Sequence, residues 1–163
     1  MAELTNIDTK VAEVIGLAQA AQGATEKIEK LVEDDSLKQT LQRMREEAVE
    51  TEERTTRVVD GFDGKKTAIL DKARETKQEA TEMMQTYLGR DADGLDGFEF
   101  LTMAEAGEVG HWEILRTLNE RARNMALGEV IQWATPIQRR HFDEARSGSL
   151  RLAAEEDPNE PAA

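Results

Sequence analysis

The sequence predicts an all-α protein: a bundle of four long amphipathic helices, with an additional helix crossing from one helix pair to the other. Three observations carry this. Aromatic residues make up 4% of the chain and prolines number 3, while the strong helix formers Ala, Glu, Leu, Lys and Arg are abundant. Apolar residues recur at three- and four-residue steps over segments much longer than a strand. Clusters of Gly and Asp punctuate those segments. With 163 residues the chain is the size of one domain. Residues 1–154 therefore read as a single bundle.

Segment one covers residues 8–32. Asp8 is expected to cap it by accepting backbone N–H bonds. Its apolar stripe is Val11, Val14, Ile15, Ala18, Ala21, Thr25, Ile28 and Leu31. Gly16 and Gly23 weaken the helix or admit a neighbour closely. Segment two covers residues 36–59, with Ser36 as the expected cap and Leu37, Leu41, Met44, Ala48, Thr51, Thr55 and Val58 as its stripe. The second half of that stripe is small and polar. Asp60, Gly61, Phe62, Asp63 and Gly64 form a turn.

Segment three, residues 65–88, is weakly apolar and dense in Lys, Glu and Gln, which suits a surface or crossover helix. The loop that follows places Asp91, Asp93 and Gly94 as in the opening of a calcium loop, but lacks the distal Glu that would complete one. Segment four covers residues 97–125, with Leu101, Ala104, Glu108, His111, Leu115, Leu118 and Ala122 on one face and Gly128 as its stop. Segment five covers residues 129–154. It is either one helix kinked at Pro136 or a fresh helix starting there, since Thr135-Pro136-Ile137-Gln138 is a capping box with Pro at the first helical position. Residues 155–163, acidic and with two of the prolines, are expected to form a disordered tail.

Charge and composition exclude several functions. Acidic residues number 34 against 21 basic, a net charge of -13, and the isoelectric point is near 4.7. A nucleic-acid partner requires a Lys/Arg face, and an anionic membrane would repel this surface. The absence of cysteine removes disulfides, thiolate catalysis and Cys-ligated clusters. No uncharged stretch approaches the roughly 20 residues of a membrane span. The N-terminus lacks a basic start followed by an apolar run, so a cytoplasmic location is expected. Ser is scarce and lacks an evident base, so nucleophilic catalysis has no support.

Both histidines fall on stripes expected to face the core. Glu108 precedes His111 by three residues, and Gln138 precedes His141 by three. Residues three apart share a helix face, so Glu-x-x-His can present a carboxylate and an imidazole to one metal ion. Two such pairs plus a Glu from each of two further helices build a di-iron carboxylate centre. Glu108/His111 has this form; Gln138/His141 has it with an amide in place of the carboxylate. Segment two contributes Glu47 and Glu50. The candidate metal ligands are therefore Glu47, Glu108, His111 and His141, with Glu50, Gln138 and Glu113 as reserves. Iron or another divalent metal is the implied cofactor. Two hydrogen-bonded core histidines and a solvated Glu-rich face are the plain alternative. Trp112 and Trp133 are assigned to packing surfaces.

The stretch from Ala104 through Glu105, Glu108, Val109, His111, Trp112, Glu113 and Ile114 to Leu115 resembles the A-x-x-V-E-H-Y-E-I signature of the YciE/YciF-type ferritin-like proteins, bacterial stress-associated helical bundles. Leu37 through Arg54 resembles the second helix of that family, and His141-Phe142-Asp143-Glu144 resembles its last. The resemblance implies a ferritin-like four-helix bundle, often dimeric through helix faces and architecturally related to rubrerythrin. It also exposes departures. The family's first-helix Glu corresponds to the neighbourhood of Ala18, with Gln19 and Gln22 beside it. Its second-helix His corresponds to Thr51, the Glu before the signature His to Gly110, and the last-helix Glu to Gln138. A di-iron centre needs several carboxylates around its charge. The expected function is accordingly that of a stress-associated bundle with a degenerate or absent di-iron site, acting by binding and assembly. The alternatives are a working metal oxidase or peroxidase using Glu108, His111 and His141, and a plain helical interaction module or hydrophilic protectant. The last predicts disorder in the Lys/Glu-rich stretch after Lys65.

Overall fold

A computed structural model describes residues 2–162. Among the described residues it contains five helices and no strand: α1 (Asn6–Glu29), α2 (Asp35–Val59), α3 (Lys66–Tyr87), α4 (Gly94–Ala122) and α5 (Met125–Ala154). No helix among them is long and apolar enough to cross a membrane. Residues 155–162 are exposed and lie beyond the last helix.

The expected elements form, but several boundaries move to residues with better capping geometry. The cap of α1 is Thr5, not Asp8. Asp8 closes the capping box from inside the helix, its carboxylate accepting from the Thr5 N–H at 2.8 Å. Asp8 also receives Lys65 at 2.7 Å, which ties the start of α1 to the start of α3. In α2 the cap is Asp34 rather than Ser36, with the Leu37 N–H donating to its carboxylate at 2.9 Å. Asp93 and Asp96 form a second capping box that starts α4 at Gly94, earlier than the expected residue 97. Asp93 is thus committed to the helix start.

Gly128 does not end α4. The stop is Arg123 in the left-handed region (φ 54°), and Gly128 lies inside α5. The Asn119 side chain makes this non-glycine stop tenable. Its amide donates to the Asn124 carbonyl at 3.1 Å, and its oxygen accepts from the Asn124 N–H at 3.2 Å. Of the two readings of segment five, the continuous helix holds: α5 runs 30 residues through Pro136. Pro136 forfeits one backbone bond in the exposed part of the turn, while Ala134, Thr135 and Gln138 around it stay buried.

Four helices form a ring in which α1 packs on α2 and α4, and α5 packs on α2 and α4. The directions follow from end-to-end contacts. Arg151 pairs with Asp34, and Arg43 reaches Glu144, so α2 and α5 are antiparallel. Gly97 lies against Ile28 and His111 against Glu13, so α4 is antiparallel to α1. Helix α3 packs outside the ring on α1, running from Asp8 toward the α1 C-terminus. It is an ordered helix. Its burial is confined to Ala68, Ile69, Ala73 and Met84, which fits its weak apolar pattern. Because α1 is covered on both sides, Ala12, Gly16 and Ala24 are buried beside the expected stripe. Any Cβ at Gly16 would overlap the Ala73 carbonyl oxygen and the Thr76 side chain, so this glycine sets how closely α3 approaches.

The apolar interior divides in two. One cluster joins Val11, Ile15, Val59, Ile69, Trp112, Leu115, Leu127 and Ile131 at the end where α1 begins. The other joins Ile28, Leu37, Leu41, Met44, Phe98, Leu101 and Ala145 at the opposite end. The residues between them are small or polar, and this middle layer is where the candidate site falls.

Candidate functional site

The middle layer is built by the facing stretches of α2, α4 and α5, where each apolar stripe is interrupted. Helix α4 carries a straight buried row: Phe98, Leu101, Glu105, Glu108, Trp112 and Leu115. Two carboxyls replace apolar residues in its centre. Helix α5 offers Gln138 and His141, both buried; α2 offers Thr51, buried, and Glu47, half-buried. Helix α1 contributes small buried residues to the same layer, Ala18, Ala21 and Thr25.

Buried polar groups need partners, and most of these find them within the layer. The Gln138 amide donates to the Glu105 carboxyl. His141 presents Nε2 to Glu47 at 3.3 Å and Nδ1 to Glu105 at 3.8 Å. Arg140 donates to the outer oxygen of Glu47, and Arg43 approaches the same carboxylate at 3.7 Å. Arg43 also reaches Glu144 at 2.5 Å. The Glu47 carboxylate therefore links a buried imidazole to arginines at the surface. Since Glu47 is an acceptor, the neutral imidazole keeps its proton on Nε2.

Burial governs the ionisation of the layer. It pushes the Glu105 carboxyl up to about 8, against the opposing hydrogen bond from Gln138. Burial likewise holds Glu108 well above the usual carboxylate range, and the neighbouring Glu105 adds to the rise. Burial lowers His141, outweighing Glu47, so the imidazole favours its neutral form. Apart from Glu47 and its arginines, the layer tends toward neutrality.

Of the sequence-predicted ligands, Glu47 and His141 come together. Glu108 lies in the layer but makes no hydrogen bond among the described residues. His111 leaves it. Its side chain is 33% exposed and its Nε2 faces Glu13 of α1 at 3.3 Å, while Nδ1 approaches the Gly107 carbonyl at 2.8 Å. The reason is angular: three residues beyond Glu108 is about 60° around the helix, and the straight row passes through Trp112 instead. Trp112, 1% exposed, belongs to the core as expected. Of the reserves, only Gln138 is in the layer. Glu50 pairs with Arg54 and Glu113 with Arg139, both on exposed faces.

Glu105 is the residue that pattern reasoning missed. A stripe drawn through Ala104 and His111 passes it by, whereas one anchored on Phe98, Leu101, Trp112 and Leu115 puts it at the centre. On the α1–α2 side, Gln19 and Gln22 donate to the two oxygens of Glu52 at 2.9 and 2.6 Å.

As a metal centre this donor set is poorly arranged. Glu47 is held by arginines, Glu105 by an amide donor, and the α1 amides Gln19 and Gln22 are engaged with Glu52. Among the described residues, no three of His, Cys, Asp or Glu are placed to hold a metal ion. The chain matches no family model, no curated protein and no solved structure.

Proposed function

We propose that the protein is a ferritin-like bundle of the stress-associated kind, with a degenerate di-iron site, acting by binding and assembly. Its helix order supports the ferritin-like reading: an antiparallel pair, a connection that traverses the bundle, then a second antiparallel pair. So does the stretch from Ala104 to Leu115. The observation that carries degeneracy is the engagement of Glu47 by Arg140 in a layer where α1 offers Ala18, Ala21 and Thr25 and α2 offers Thr51. Cations already sit where a metal's charge would be balanced, and the partners needed for a second ion are apolar or neutral. Elemental analysis of natively purified protein tests this, together with Fe(II) oxidation. Substoichiometric metal and background oxidation are expected; about two irons per chain, the complement of a di-iron bundle, would overturn it.

A second reading, a single-metal protein, is favoured by the convergence of Glu47 and Glu105 on His141. It predicts that His141→Ala lowers bound metal while His111→Ala does not. Equal metal content in both variants would remove it. Assembly as a homodimer through helix faces, in the cytoplasm, belongs to the same proposal and is read from sedimentation of the purified chain.

A further inference from the structure

Helix α3 packs on α1 but makes little contact with α4. The gap it leaves is an apolar cavity of about 320 Å³, at the small end of ligand sites. Leu17 and Ala20 of α1, Met83 and Met84 of α3, and Phe100 and Met103 of α4 wall it. Met83 and Met103, 68% and 52% exposed, make an apolar mouth. Glu108 lines the inner wall.

Glu108 is the informative residue. It is 6% exposed, and its carboxyl has no hydrogen-bond partner among the described residues. Its oxygens are not fully sealed off, and the cavity that Glu108 lines is open space beside them. A group of this kind on a cavity wall marks where a partner belongs.

We propose that this cavity binds a small uncharged molecule with a short alkyl body, whose hydroxyl or carbonyl head hydrogen-bonds to Glu108. The walls fix the body: aliphatic and thioether surfaces, with methionines able to adapt to an irregular chain. Glu105, His111 and Thr81 also line the wall, but each is already engaged, by Gln138, Glu13 and the Lys77 carbonyl, so Glu108 fixes the head. A hydroxyl both donates and accepts, so it satisfies a carboxyl in either protonation state. An ammonium would bring three donors to a cavity that offers one unengaged carboxyl. A carboxylate would face Glu108 inside a chain of net charge -13. Metal at the His141 cluster is not required, so failure of the ferritin-like reading would leave this binding unchanged.

The probe is 1-hexanol, titrated into protein carrying ¹³C-methyl methionine and followed by NMR. Saturable shifts are expected at Met83, Met84 and Met103, with Met44 and Met125 unmoved. Glu108→Leu should weaken binding by up to about tenfold, the loss of one hydrogen bond. Ala80→Trp should block the cavity. If that variant fails to fold, Met103→Glu at the exposed mouth serves, read at Met83 and Met84. Unsaturable or uniform shifts would overturn the cavity as a site. Unchanged affinity in Glu108→Leu, or tighter binding of hexylammonium or hexanoate than of hexanol, would overturn the neutral, Glu108-directed head.

Discussion

At the scale of single residues, the most consequential feature is a pair of carboxyls in the core of α4. Glu105 retains its proton to about pH 8 when folded, whereas the free side chain releases it near 4.5. The folded state therefore binds more protons between those values. Its contribution is complete below the lower value and declines as pH rises through the upper one, by about 1.4 kcal/mol per pH unit for one group. Glu108 acts in the same direction. His141 is opposite: its lowered value gives stability that is present above 6.5 and lost as pH falls. Thermal midpoints of the wild type are expected to drop between about pH 6.5 and about pH 8, where the histidine contribution is constant. Glu105→Gln keeps an acceptor for Gln138 and removes the titration, so the drop should shrink. An undiminished drop would show that Glu105 is not its source. A second residue-scale test concerns Gly148, where a Cβ would overlap the Phe98 ring. Gly148→Ala should destabilise by about 1–3 kcal/mol in urea unfolding, the usual cost of overpacking.

At the scale of elements, α3 differs from the others. It buries four residues and touches essentially α1 alone. Few buried contacts mean a low local opening free energy. Its amides, apart from those at its start near Lys65, should exchange with deuterium earlier than those of α1, α2, α4 and α5. Gly16→Ala should accelerate exchange in α3 selectively, because the new methyl collides with the Ala73 carbonyl. Uniform acceleration in all five helices would instead mean that α3 unfolds with the bundle. The same weak apolar pattern that marks α3 as peripheral also explains the cavity beside it: a helix with few large apolar residues cannot close against both α1 and α4.

At the scale of the molecule, 34 acidic residues against 21 basic leave a surface that repels itself. Ion pairs such as Arg43–Glu144 and Arg151–Asp34 offset this locally, yet the excess remains. Screening should therefore stabilise the fold: the urea midpoint is expected to rise between about 0.02 and about 0.5 M NaCl. A fall would indicate that the cross-helix ion pairs outweigh net repulsion. The acid excess has little to do with the site, since few of the 34 acidic residues, Glu47, Glu105, Glu108 and Glu144 among them, approach the middle layer.

The sequence by itself determined the five helices, the Asp60–Gly64 turn and the peripheral character of α3. These follow from spacing and turn chemistry, which act over a few residues. It also marked Glu108, Gln138 and His141 as polar interruptions of buried stripes. Only tertiary structure decided the rest. A rotation of about 120° about the α4 axis separates His111 at the surface from Glu105 in the core, and periodicity in a Gly- and Glu-rich stretch does not resolve that angle. The choice of Thr5 and Asp34 over Asp8 and Ser36 as caps, the Arg123 stop and the passage of α5 through Pro136 likewise depend on packing against neighbours. Partnering is non-local too: Glu47 meets Arg140 and His141, some hundred residues along the chain, only because α2 and α5 run antiparallel.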